Sequence, residues 1–362
     1  MLDALWTIAQ VNYNRLLDAF RAVRLSESDL WGSTGYGLDD LGRDKLENVY
    51  FLYFGAEDAL VRPNISSGTH ASYLVASSLG LKDKSVLFTP FEPYDSVFEN
   101  IRPLLGKWSV WNGQDNSKAD VLWLQRSGGY RWFEGLNITQ MQTIIERFHS
   151  INPNGIVVVD NCYGEFVEEK EPTHVGADLC FGSLIKNPGG TITPTGAYVV
   201  GKQALVERVS KTLFGPALAD EQGATGPFLH SAFHGLFLAP LLVYNSLVSK
   251  EKLVDKLPNA LEERFPFSDI IVRTRWETKE KMISAAQLIQ HVGPVNSYVT
   301  LEPFAMGGYK DPIVMAWTGF VQGESLSLSA DGTVSEPFEL FIQPGVNPFI
   351  IEELSAKLNS IV

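Results

Sequence analysis

Residues 157–190 read VVVDNCYGEFVEEKEPTHVGADLCFGSLIKNPGG. Two runs in and beside this stretch, GIVVVD and DLCFGSL, are short, apolar and rich in β-branched or bulky residues, as strands buried on both faces are. Each ends in polar residues. The first delivers Asp160, and the second leads into Ser183 and Lys186. In open α/β sheets the carboxyl ends of the strands face the ligand crevice, so a carboxylate and an amine leaving neighbouring strands can meet one ligand. Pyridoxal 5′-phosphate (PLP) needs that pair. A lysine condenses with its aldehyde as a Schiff base, and a carboxylate against the pyridine nitrogen keeps the ring an electron sink. Ser183 stands three residues before Lys186, within reach of the cofactor phosphate, and NPGG lets the backbone turn tightly and approach a ligand closely. A lone lysine is usually a solvated surface charge and a lone aspartate a turn former; the constellation carries the reading.

Working outward, strand-like runs alternate with helical patterns over about 36–225, which predicts an α/β domain with a mainly parallel sheet. The strands are the end of ALVR, KSVLFTP, DVLWLQ, GIVVVD, DLCFGSL and GAYVVG. NITQMQTIIERFHSI has the spacing of an amphipathic helix, and so does 39–54, with Asp39 or Asp40 as its cap. Residues 1–35 form an N-terminal helical segment, with the helix over 2–24. From 226 to 362 an apolar connector helix leads into a smaller α+β domain. Its strands are expected at DIIVRT, NSYVTL, PIVMAW, ESLSLS and FELFI, and its helices at about 276–291 and 347–361.

With 362 residues the chain is long enough for a large and a small domain. Its net charge of −13 argues against a nucleic-acid partner. Two cysteines, Cys162 and Cys180, make no disulfide framework and read as reduced core thiols of a cytoplasmic protein. No signal peptide and no stretch able to span a membrane is expected. No His/Cys cluster has metal-ligand spacing, so no metal site is expected.

The phosphate end is read at Asn64–Ala71, NISSGTHA. It follows a strand and opens a helix at about Thr69, a natural anion site with Ser67 and Thr69 hydroxyls and close approach at Gly68. The same serine and threonine also suit a plain helix cap, and His70 could contact the cofactor or substrate or simply be a first-turn helix residue, the latter the preferred reading. Tyr94, in EPYDS, can stack on a flat ring or fill the core.

Together VDNCYGEFVEEKEPT, VGADL, GSLIKNPGG, SSGTHA, GYG-x-DD-x-GRD-x-LE, VGPVNSYVTLEP and LSADG resemble the aluminium-resistance or methionine γ-lyase-like family, a branch of the PLP-dependent Cys/Met-metabolism enzymes. The resemblance runs from about Gly35 to Gly345. It implies a fold-type-I (aspartate-aminotransferase-like) PLP enzyme, a homodimer or homotetramer with active sites at subunit interfaces, acting on a sulfur-containing amino acid. Residue by residue, it implies the Schiff base on Lys186, the pyridinium partner on Asp160, phosphate contacts on Gly68, Thr69 and Ser183, and ring stacking on Tyr94. Tyr36 and Arg43 are the nearest counterparts of a Tyr-x-Arg segment that crosses to a neighbouring subunit, with different spacing. The stretch 105–120 is shortened, and Gly128, Phe133 and Ser335 stand where relatives carry basic residues. Arg126 is then the best remaining candidate for the clamp on the substrate carboxylate, with a structural ion pair as its alternative. Lys186 is expected to have a lowered pKa as general base. Other PLP chemistry, such as transamination or racemisation, or a non-catalytic PLP-fold binding protein, stand as alternatives.

Overall fold

The computed structural model describes residues 1–113, 116–263 and 265–362. Gln114 and Asp115, in the shortened stretch, and Arg264 lie outside the described residues.

The first half is built from α1 (Leu2–Ala22), α2 (Leu41–Phe54), β1 (Asp58–Arg62), α3 (Gly68–Leu79), β2 (Ser85–Thr89), α4 (Asp95–Ile101), β3 (Lys107–Val110), β4 (Val121–Gln125) and α5 (Ile138–Ile151). It continues through β5 (Ile156–Asp160), β6 (Leu179–Ser183), β7 (Ala197–Gly201) and α6 (Gln203–Phe214) to the long helix α7 (Phe228–Lys256). Beyond lie β8 (Val272–Arg275), α8 (Lys279–Val292), β9 (Ile313–Trp317), β10 (Ser329–Thr333), β11 (Glu339–Gln343) and α9 (Pro348–Asn359).

Seven strands form one sheet in the order β1-β7-β6-β5-β4-β2-β3. The run β3-β2-β4-β5-β6 is parallel, while β7 runs antiparallel to both β6 and β1. β4, β6 and β7 are buried along their whole length, because helices cover both faces, as a parallel sheet requires. One core lies between the sheet and α1, α2 and α7; another lies under α3 and α6. The second sheet, β8-β11-β10-β9, is antiparallel and packs on α8 and α9.

Asp40 caps α2, its carboxylate accepting from the Arg43 amide at 3.0 Å. α7 is long and apolar enough by length and composition to cross a membrane, which the sequence reading did not anticipate. Here it packs against α1 and α9, with half of its most apolar stretch buried. Phe228 to Leu247 of α7 enter the core of the large sheet, and Leu253 enters that of the small one.

Two expected strands are absent. NSYVTL follows Gly293-Pro294, turns at Asn296 (φ +57°) and leaves Tyr298 84% exposed. It is a loop with no strand beside it. In ESLSLS the Glu324 carboxylate accepts the amides of Leu326 and Ser327 at 2.7 and 3.0 Å. Those local bonds replace ladder partners, and β10 starts only at Ser329. Two strands were missed: KWSV, β3, an exposed edge strand without an apolar run, and SADGT, β10, which begins where the expected ESLSLS ends.

Candidate active site

The carboxyl ends of the parallel strands meet the small sheet across a cleft of about 610 Å³. Ser67, Gly68, Thr69, Tyr94, Ser183 and Lys186 all line it, and Tyr130, Tyr163 and Asp331 join them.

Lys186 leaves β6 by a tight turn, its amide donating to the Ser183 carbonyl at 3.2 Å. Its ammonium sits 4.6 Å from the centre of the Tyr163 ring and donates to the Gly323 carbonyl at 2.5 Å. Burial pulls the amine's pKa down, but Tyr163, Cys162 and Asp331 outweigh it, and the net position is above the ordinary lysine value. This corrects the expectation of a lowered pKa: the surrounding phenol, thiol and carboxyl favour the charged amine more than burial opposes it. The glycines of NPGG serve a neighbour other than a ligand. A Cβ on Gly190, whose φ is +52°, would meet the Gly235 carbonyl of α7 at 2.4 Å, so they let the lysine loop lie directly on that helix.

Asp160 ends β5, 3% exposed, behind the Cys162 backbone, whose N–H it accepts at 3.1 Å. Burial pushes its carboxyl up to about 6. No described cation pairs with it. Tyr94 is held well above the usual phenol range, by burial first and then by Asp160 nearby.

Ser67 caps α3, its hydroxyl accepting from the His70 amide at 3.1 Å. The first turn of α3 therefore opens on the cleft with its positive dipole end. A Cβ on Gly68 would come within 2.9 Å of the Cys162 sulfur. The Ser183 hydroxyl accepts from the Ile185 amide at 3.2 Å. His70 turns its Nδ1 to the Ser66 amide and is absent from the cleft wall, the first-turn role read from sequence. Cys162 is at the cleft and Cys180 in the core; both are buried free thiols.

Arg126 does not face the cleft. It is fully buried, bonding Asn161 at 2.9 Å and the carboxylates of Glu171 and Glu168 at 3.1 Å each. Side chains alternate across a strand end, and this one points to the helix-covered side, where three acidic residues of EFVEEKE converge. Of the two readings of Arg126, the structural ion pair is the one realised, and the clamp on the substrate carboxylate is not. Arg43 is likewise committed within its own chain, 3% exposed and donating to the Gly37 carbonyl at 2.7 Å, whereas Tyr36 is 74% exposed. Neither lines this chain's cleft.

Sequence reasoning assigned no role to several residues of the cleft wall. Tyr163 occupies the left-handed region (φ +70°) just after β5, a costly conformation for a bulky residue. Its hydroxyl lies 3.2 Å from that of Tyr130. Asp331 is on β10, within the LSADG motif, and burial pushes its carboxyl up to about 7 against the pull of Lys186. The NSYVTL loop and its continuation supply Asn296, Val299, Leu301 and Phe304 to the opposite wall.

The methionine gamma-lyase family model matches residues 2–107 and 107–353. The chain belongs to that family. A Bacillus subtilis (strain 168) relative, the uncharacterized protein YnbB, is 38% identical over 94% of this chain and 87% of its own length. A crystal structure from Listeria monocytogenes superposes with a TM-score of 0.92 at 36% identity, covering 100% of this chain and 96% of the other; it bears the provisional name of a cystathionine beta-lyase involved in aluminium resistance. A Clostridium novyi structure, named a carbon-sulfur lyase involved in aluminium resistance, gives 0.90 at 32% identity, covering 100% and 92%. The PLP-dependent protein YhfS of Escherichia coli, at 15% identity and a TM-score of 0.66, shares the fold. The architecture is fold type I.

Proposed function

We propose that this family member is a PLP-dependent carbon–sulfur lyase acting on a sulfur-containing amino acid. The observation that carries the reading is that Lys186 and the start of α3 open on one cleft, with the buried Asp160 directly behind its wall residues Cys162 and Tyr94. The donor set fits the cofactor. A buried carboxyl without a cationic partner suits a pyridinium N–H. Gly68, packed too close to the Cys162 sulfur for any side chain, leaves bare backbone at the start of α3 on the cleft, which suits a phosphate.

When bound, PLP supplies an electron sink for the charge left at Cα. Ser67, Gly68, Thr69 and Ser183 would hold its phosphate, Tyr94 would flank the ring, and Asp160 would keep the ring nitrogen protonated. Lys186 would bond the aldehyde carbon and, once free, accept the Cα proton. For that, the amine must lose the stabilisation that Tyr163 and Asp331 give its charged form. Tyr163, under the amine and joined to Tyr130, is placed to share that proton. The solved neighbours from Listeria monocytogenes and Clostridium novyi favour the carbon–sulfur lyase reading by name only.

Purified protein supplied with PLP should turn yellow, and borohydride should fix the label on Lys186. Thioether amino acids should then release a thiol, a keto acid and ammonia. A label on another lysine removes the cofactor assignment. Binding without turnover of any amino acid leaves a PLP-fold binding protein.

A further inference from the structure

The cleft does not end at Lys186. Past Tyr94, Tyr130, Tyr309 and Asp331, which line both spaces, it continues into a side pocket of about 190 Å³ whose far wall carries Arg131. Two side-chain atoms around that pocket are left unpaired. Asp331 Oδ1 and Arg131 Nε are each sealed from solvent and have no hydrogen-bond partner. A buried polar atom left unmade costs free energy, so each calls for an occupant. The rest of each side chain is lightly held. Arg131 reaches only the Glu92 carbonyl at 3.4 Å and rests 4.8 Å over the Phe91 ring. Asp331 is offset only by the more distant charge of Lys186 and by Tyr130. Asp95 adds a second carboxylate to the pocket. No arginine lines the Lys186 cleft itself among the described residues.

We propose that this side pocket binds a second amino-acid head group of the substrate, its ammonium on Asp331 and its carboxylate on Arg131. The proposal rests on the lyase reading above and narrows it. The substrate class is a thioether or disulfide with an ammonium and a carboxylate at both ends, one head at Lys186 and the other past Asp331. An S-alkyl amino acid with a plain hydrocarbon end leaves both orphaned atoms unpaired, and the site discriminates against it for that reason. The bland alternative is that Arg131 is an aromatic-stacked structural cation and Asp331 a protonated wall residue. It predicts no preference between the two substrate types.

The test uses PLP-loaded full-length protein carrying Lys186→Ala, which turns nothing over. Calorimetry compares L-cystathionine with S-propyl-L-cysteine. Their first heads are the same, so the ratio of their Kd values reports the second. The doubly headed ligand should bind at least about tenfold tighter, the ratio expected of one charge-assisted contact. Asp331→Asn and Arg131→Met should each remove most of that ratio without weakening S-propyl-L-cysteine. A ratio near one, or one that survives both substitutions, overturns the proposal. The ratio of kcat/KM for the two thioethers on protein with its native Lys186 gives the same reading should Lys186→Ala not retain PLP. If the binding ratio holds and neither thioether is cleaved, the lyase reading fails and the pocket stands. If both are cleaved equally well, the pocket fails and the lyase reading stands.

Discussion

Arg126 and Asp331 exchange the roles that their chemistry suggests. The guanidinium, a natural carboxylate clamp, is locked among Glu168, Glu171 and Asn161, while the carboxylate faces the cleft. Arg126→Ala should therefore cost stability on the order of 3–5 kcal/mol, because it leaves buried carboxylates uncompensated. Denaturant melts should show that loss, with KM of the surviving folded fraction unchanged; a steep rise in KM would return Arg126 to the site. Asp160→Asn should keep PLP bound and remove most turnover, since an amide cannot hold the ring nitrogen protonated; activity within a few-fold of the parent contradicts it. Asp331 makes a pH forecast. Its folded pKa, about 7, lies above the usual 3.8. The folded chain keeps a proton that the unfolded chain has lost, so this group's stabilisation is present below about pH 4 and is lost as pH rises through 7. Asp331→Asn should remove that slope, which approaches about 1.4 kcal/mol per pH unit inside the window. Equal pH profiles of melting temperature for parent and variant would show that Asp331 is not a raised carboxyl.

At the scale of elements, the lysine loop depends on a helix far away in the chain. A Cβ on Gly235 would fall 2.2 Å from the Gly189 carbonyl, so α7 and the Asn187–Gly190 turn touch backbone to backbone. Gly235→Ala should push them apart, lower stability by about 1–3 kcal/mol as overpacking does, and weaken PLP binding by displacing Lys186. A melting temperature and PLP affinity equal to the parent would show the contact to be soft. The same scale shows where periodicity reading failed. NSYVTL and ESLSLS alternate as strands do, yet no neighbour offers them a ladder. One becomes a wall of the cleft and the other a run of turns held by Glu324.

For the whole molecule, a buried cluster ties the two sheets together. Lys250 of α7 and Arg273 of β8 meet Glu263 and Asp269, and Asp269 also accepts the Ser127 hydroxyl at 2.5 Å beside the QRSGG turn. Asp269 is held far below the usual carboxylate range: burial alone would raise it, but Arg273 and Lys250 dominate. Its stabilisation has the opposite sign to that of Asp331, present at neutral pH and lost only in strong acid. The exposed apolar side chains Trp31, Tyr36, Leu38 and Leu41 gather before and at the start of α2, in the segment that resembles a subunit-crossing arm. We expect this face to be covered by a second copy in a closed homo-oligomer. Light scattering that gives a monomer with full PLP occupancy would refute that expectation.

The strands of the large sheet other than β3, the helical spacing of α5, the cap at Asp40 and the placing of Asp160 and Lys186 at neighbouring strand ends were legible in the residues themselves. Each depends on neighbours within a few positions or on the shared direction of parallel strands. The helix start at Gly68 and the position of Tyr94 at the cleft were legible as well, and the family motifs gave them expected roles. The side on which Arg126 emerges, the seating of α7 against the lysine loop and the orphaned Asp331 were decided by tertiary structure. Their partners come from distant parts of the chain: Gly235 lies under Gly189, and β10 reaches the cleft only because α7 carries the small sheet back over it. Local pattern holds no record of which long-range neighbour arrives, and burial and charge balance at these positions are set by that neighbour.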